Sequence, residues 1–174
     1  FRHTEFEAYK AQRAKPPEGL YEQFDRVRQL VEAMQIPVYE MEGFEADDIL
    51  GTLARQAQES GLEVVIVSGD ADTMQLVGPH VRVMTPGRLL TQTTLYDEAA
   101  VRERYGLSPG QLPDYKGLCG DPSDNIPGVP GIGTKTASKL LSQYGTIENL
   151  YAHLDELNPR VREALEIHEA DARQ

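Results

Sequence analysis

Four consecutive β-branched residues, Val64-Val65-Ile66-Val67, constrain the fold more than any other stretch of this 174-residue chain. A run of that kind, apolar on both faces, suits a parallel strand covered by helices better than a half-solvated antiparallel one. The pattern predicts a central parallel strand over 63–67, preceded by a short strand over 37–41 and a helix over 46–60 ended by Gly61. Strand, helix and strand make a βαβ unit with a right-handed crossover. Upstream, Leu20, Phe24, Val27, Val31 and Met34 recur at intervals of three and four, which predicts an amphipathic helix over 18–34 with a buried stripe. Residues 4–13 read as a helix with Lys10 and Arg13 on one face, broken by Pro16-Pro17.

Beyond the 63–67 strand, a short helix over 73–77, a strand over 81–84 and a hairpin at Pro86-Gly87 with residues 88–91 complete an α/β part. From Tyr96 the character changes. Helices are expected over 98–105, 109–119, 135–143, 147–157 and 160–170, with Ser108-Pro109 and Asn158-Pro159 as N-cap and first-turn pairs. The predicted organisation is an α/β part over 1–94, with 1–17 as a separate arch segment, then an all-α part over 95–174. Apolar runs fall far short of the roughly 20 residues that span a bilayer. The single Cys119 forms no internal disulfide and points to a reducing, cytosolic compartment. A first residue of Phe1 rather than Met marks the sequence as an expected piece of a longer chain.

A net charge of −11, from 17 basic and 28 acidic residues, argues on average against a polyanionic partner. The distribution argues the other way. Residues 125–147 contain Lys135 and Lys139 but no Asp or Glu, whereas Glu45, Asp47, Asp48, Asp70, Asp72, Asp121 and Asp124 fall in three tight groups. Glu45-Ala46-Asp47-Asp48 sits where a strand gives way to a helix, and Gly69-Asp70-Ala71-Asp72 just past the next strand, both at the edge where open α/β sheets bind ligands. Glu45 and Asp47 cannot share a helix face, so Glu45 belongs in the preceding turn. Acids also answer a helix dipole, and Asp124 can simply cap a turn. Nothing in the spacing brings the Gly120 to Asn125 group to the other two. If clustered, so many carboxylates would repel one another unless hard cations, magnesium or manganese, sat among them. Two such ions about 4 Å apart activate a water on one side of a phosphodiester and stabilise the leaving oxygen on the other.

The run from Gly128 to Leu141 resembles a helix-hairpin-helix motif. Its Gly131-Ile132-Gly133 turn presents backbone N–H groups, Thr134 caps, and Lys135 and Lys139 share a face of the following helix, all suited to DNA phosphate. The alternative is a Gly-rich turn whose Ala137, Leu140 and Leu141 are core. Phosphate contacts carry no base information, so binding is expected to be sequence-independent and salt-sensitive.

Together with Phe1-Arg2-His3 and Tyr9-Lys10-Ala11-Gln12-Arg13, the three acidic groups and the run 120–135 closely resemble the 5′-nuclease domains of the flap endonuclease family, as carried by bacterial DNA polymerases. The resemblance spans nearly the whole chain in the family's order. It implies a PIN-like, mostly parallel α/β sheet followed by an all-α helix-three-turn-helix region. It implies metal-dependent cleavage of 5′ flaps, nicked duplex ends and primer RNA in replication and repair. The seven acids correspond to metal ligands, and Lys10 and Arg13 to arch residues that steer the scissile phosphate. DNA contacts fall at Gly128, Gly131, Ile132, Gly133, Thr134, Lys135, Thr136 and Lys139, with potassium on main-chain oxygens of the hairpin. A polymerase domain following Gln174, in a bacterial cytoplasm, is also implied. The family carries two further aspartates on strands ahead of its Phe-Arg-His element, so two ligands are expected to lie outside the sequence given. Ala71 stands where many relatives have Lys. The competing readings are a DNA-binding or partner-binding module without catalysis, and a PIN-type ribonuclease, which leaves the hairpin unexplained.

Overall fold

The computed structural model describes residues 2–87 and 92–173. Helices α1 (Arg2–Glu5), α2 (Leu20–Ala33) and α3 (Ala46–Glu59) precede strand β1 (Val64–Val67). Strand β1 runs parallel to β2 (Val81–Pro86), with Val64 opposite Val81, and β2 runs antiparallel to β3 (Thr93–Tyr96), with Val83 opposite Tyr96. The link between β1 and β2 is a 3-10 helix, Ala71–Leu76. Residues 88–91 of the expected hairpin lie outside the described residues, although the strands on either side pair as a hairpin requires.

Three expectations for this part need correction. No strand forms over 37–41, so the βαβ unit is missing; Pro37 lacks a backbone donor, and Val38, Tyr39 and Met41 are exposed. Among the described residues the sheet order is β1-β2-β3, which puts β1 at an edge rather than the centre. Ile66 packs at 4% exposure beside Ala54 of α3, but Val65 and Val67 on the other face stay open at 50% and 68%. Helix α2 forms where the periodicity puts it, yet buries no residue; Phe24, Val27 and Met34 are all more than half exposed. The predicted 4–13 helix stops at Glu5 because the next residues bond elsewhere. Lys10, at φ 55, donates its backbone N–H to the Asp124 carbonyl (3.1 Å), and Asn125 donates its side-chain amide to the Ala8 carbonyl (2.8 Å).

Helix α4 (Glu98–Tyr105) packs Val101 into the core under the sheet, and the helical part beyond it comprises α5 (Leu112–Cys119), α6 (Thr134–Tyr144), α7 (Ile147–Ala152), α8 (Pro159–Ile167) and α9 (Glu169–Ala172). Ser108 and Gln111 form a capping box, and Asn158 accepts from the Arg160 N–H, as their sequences suggest. Leu118, Ile132, Ala137, Leu141, Leu150 and Leu165 form its core, while Met74, Val81, Val83, Val101 and Leu112 form the core under the sheet. Helix α5 contributes to both, Leu112 to one and Leu118 to the other. A helix anchored at both ends in different cores fixes the loop after it, 120–127, against the sheet edge. No described helix is long and apolar enough to cross a membrane.

Candidate metal centre and nucleic-acid interface

The 3-10 helix after β1 is set by its own acids. Ser68 Oγ accepts from the Asp70 N–H (3.0 Å), Asp70 Oδ1 accepts from the Asp72 N–H (3.0 Å), and the buried Thr73 hydroxyl donates to the Asp70 carbonyl (2.7 Å). These local bonds hold both carboxyls at the end of a parallel strand. Glu45 is the extended N-cap of α3, outside the helix as its spacing requires, with Asp48 closing a capping box back to the Glu45 N–H (2.9 Å). Across from them, Asp121 and Ile126 pair backbone to backbone in both directions at 2.9 Å, and Asp121 accepts from the Ser123 N–H and hydroxyl. A close approach closes this loop. Gly128, at φ 66, lies so near the backbone of Cys119 and Gly120 that any Cβ would collide with it.

The structure thereby brings together groups that sequence spacing leaves apart. One cleft of about 490 Å³ is lined by Glu45, Asp47, Asp70, Asp72, Asp121 and Asp124, with Arg2, Lys10 and Lys116 among them. Carboxylate oxygens of Asp72, Asp121 and Asp124 lie within 4.8 Å of one another. All-oxygen donors at that separation suit a hard divalent cation. Asp48 differs. Its carboxylate receives both arms of the Arg2 guanidinium, at 2.7 and 2.8 Å, which holds its pKa down at about 2.

Charge is distributed unevenly in the cleft. Burial, then the nearby Asp70 and Asp72, push the Asp47 pKa up. Burial likewise raises Asp72, despite its bond from Lys116. In Asp121, burial is outweighed by bonds from Lys116 and Ser123, and in Glu45 by bonds from Lys10 (2.7 Å) and Tyr9 (3.1 Å), so both are lowered. Asp124 accepts from Arg13 Nη2 at 2.8 Å and from the Tyr9 hydroxyl at 3.2 Å. Lys10, bonded to Glu45 and 4.0 Å from Asp124, and Arg13, bonded to Asp124, thus reach the acids from a turn rather than from a helix face.

Sequence reasoning missed Lys116. Its Nζ donates to Asp121 Oδ2 at 2.6 Å and also to Asp72 Oδ1. The signal was available in its place near the end of a helix, five residues before an acid of the Asp121 group. Tyr9 and Arg2 were seen only as parts of a pattern.

At the hairpin, Gly131 (φ 88) turns the chain in open space and Gly133 is the N-cap of α6. Thr134 is the first helical residue rather than the cap, because Gly133 already takes that place. The Ile132 side chain is in the core at 3% exposure, leaving only its backbone for a ligand, and Ala137, Leu140 and Leu141 pack beneath. Gly131, Gly133, Thr134, Lys135 and Lys139 are exposed, Thr136 is half-buried, and neither lysine is ion-paired among the described residues.

The acid-edged sheet and the helical hairpin layer together share their fold with solved flap endonucleases. The bacteriophage T5 flap endonuclease, solved in complex with DNA and metal ions, aligns over 98% of this chain and 66% of its own, with a TM-score of 0.80 at 23% identity. The 5′-3′ exonuclease N-terminal resolvase-like domain matches residues 1–106, and the 5′-3′ exonuclease C-terminal SAM fold matches 107–174. The chain belongs to the 5′-3′ exonuclease family. It is 52% identical over 169 residues to DNA polymerase I of Bacillus caldotenax and 47% over 167 residues to that of Thermus thermophilus, covering 97% and 95% of this chain. It spans about 19% of either relative's length.

Proposed function

We propose that this chain is the metal-dependent 5′-nuclease part of a bacterial DNA polymerase, acting in the cytoplasm at the nucleoid. It hydrolyses phosphodiesters at the 5′ ends and flaps of branched or nicked duplex DNA, and of primer RNA, in replication and repair. The observation that carries this reading is the meeting of Asp72, from the sheet edge, with Asp121 and Asp124, from the loop after α5, with oxygens of all three within 4.8 Å of one another. The sheet-bearing part, 1–94, and the helical part, 95–174, each supply acids to it.

Magnesium or manganese, as one ion or two, supplies an activated water and a stabilised leaving oxygen when bound. Asp72, Asp121 and Asp124 hold it, with Asp47, Asp70 and Glu45 bordering the same space and Asp48 supporting Glu45 through the capping box. Lys10 and Arg13 orient the scissile phosphate at the cleft mouth. Backbone N–H groups of Gly131, Gly133 and Thr134, with Lys135 and Lys139, grip the duplex backbone, and main-chain oxygens of the hairpin take potassium. Gly128 and Ile132 serve by shaping the turn.

Cleavage of a 5′-flap substrate in Mg2+ or Mn2+ tests the reading, with DNA binding measured separately in EDTA. Asp70→Ala and Asp72→Ala should lower cleavage at least about 100-fold, since small misplacement of reacting groups costs that much, while binding in EDTA changes little. Cleavage that survives both substitutions would contradict the metal assignment.

A further inference from the structure

Lys116 joins the two parts of the fold at the cleft, from a different side than Lys10. Its stem leaves α5, and its ammonium lies between Asp72, beyond β1, and Asp121, beyond α5, donating to both. Those are two of the three acids whose oxygens lie within 4.8 Å of one another. All three acids are well covered, Asp72 at 22%, Asp121 at 13% and Asp124 at 14% exposure of their side chains, and Lys116 itself is at 32%. The ammonium is a compact point charge with three donors. It therefore meets the same demand as a hard cation, to neutralise converging carboxylates, and does so at the same oxygens. A divalent ion that took oxygens of both Asp72 and Asp121 would compete with the ammonium for them.

We infer that Lys116 is a positioning residue that acts as a built-in counter-ion of the acidic cleft, drawing Asp72 and Asp121 together across the two parts of the chain and yielding its place to the divalent ion as that ion binds. The inference rests on the metal reading proposed above. It separates from a purely structural role in the sign of one effect. If Lys116 only shapes the site, removing it loosens the acids and weakens metal binding. If it competes for the acids, removing it strengthens metal binding, although the protein loses stability where no metal is supplied. Displacement also frees a cation at the cleft beside the acids, where a phosphate would lie.

The test is Mn2+ binding, followed by electron paramagnetic resonance of the free ion, on the whole chain and its Lys116→Met, Lys116→Gln and Lys116→Arg variants. Circular dichroism melts in EDTA and in Mn2+ accompany it. The Met and Gln variants should bind Mn2+ about fivefold more tightly, the order expected from losing one partly screened ion pair. They should also melt lower in EDTA and gain more from Mn2+ than the unaltered chain, while the Arg variant, which keeps the charge, should stay within about twofold of it in affinity. Equal or weaker binding by folded Met and Gln variants would overturn the inference and leave the metal reading standing. If Met and Gln variants fail to fold in EDTA, a folded state recovered by Mn2+ supports displacement, and a failure to recover overturns it. Absence of Mn2+ binding by the unaltered chain would overturn the metal reading and this inference with it.

Discussion

Arg2 and Asp48 give the clearest pH signature among single residues. Asp48 is held at about 2, from an ordinary 3.8, by hydrogen bonds from Arg2. A depressed carboxyl contributes stability that is present above its unfolded value and lost as pH falls through its folded one. Screening at this partly open pair reduces the contribution to about 1 kcal/mol. Arg2→Gln should therefore cost about 1 kcal/mol in urea unfolding at pH 7, with the gap to the unaltered chain constant down to about pH 5 and closing between about pH 4 and 2. A gap that persisted to pH 2 would place the contribution in something other than the ion pair. Gly128 makes a steric prediction. Its φ of 66 and its contact with Gly120 leave no room for a methyl group, so Gly128→Ala should cost about 2–4 kcal/mol in the same assay. It should also weaken Mn2+ binding, because Gly120 leads directly into Asp121. A loss below about 0.5 kcal/mol, the scale of an ordinary surface change, would show that the loop yields easily. The sequence placed Gly128 at the start of the hairpin motif; it could not show that the chain there folds back on residues eight earlier.

Elements were legible where the information is local and obscure where it depends on a neighbour. Helices α3, α4 and α6 lie within a residue or two of their expected ends, since the turn at Glu45 and the stop at Gly61 are written into the chain, although the cap of α6 falls on Gly133 rather than on the expected Thr134. In α2 the periodicity of Phe24, Val27 and Met34 identifies a helix with an apolar face, but periodicity states which face favours cover and not whether anything covers it. The same limit applies to Val65 and Val67 of β1, which read as buried and are open. Helix α6 carries its own prediction. Lys135→Glu with Lys139→Glu reverses two exposed charges without touching Ala137, Leu140 or Leu141, so folding should be preserved. Binding to DNA of any sequence should fall alike, and the slope of log affinity against log salt should flatten by roughly one per lost phosphate contact. Loss confined to particular sequences would contradict backbone recognition by the hairpin.

At the scale of the whole molecule, the candidate site depends on contacts between distant residues, and most of it was legible only as three separate groups. Glu45, Asp47, Asp70, Asp72, Asp121 and Asp124 were each visible as acids at turns, yet only the fold of α5, with Leu112 in one core and Leu118 in the other, carries Asp121 and Asp124 to Asp72. Lys116 stands five residues before Asp121 in the sequence, but that spacing says nothing of Asp72, its other partner, which only the fold supplies. The central claim is that acids from both parts of the chain hold one metal. The most direct test is paramagnetic broadening of backbone amide signals by substoichiometric Mn2+ in a 15N-labelled sample. The account predicts that the signals of residues 70–72 and 121–124 broaden together at the lowest Mn2+ additions, ahead of exposed acids such as Asp155 and Glu169, and that Asp72→Asn abolishes the early broadening in both segments. Broadening confined to one segment, or spread evenly over the acidic surface, would contradict it.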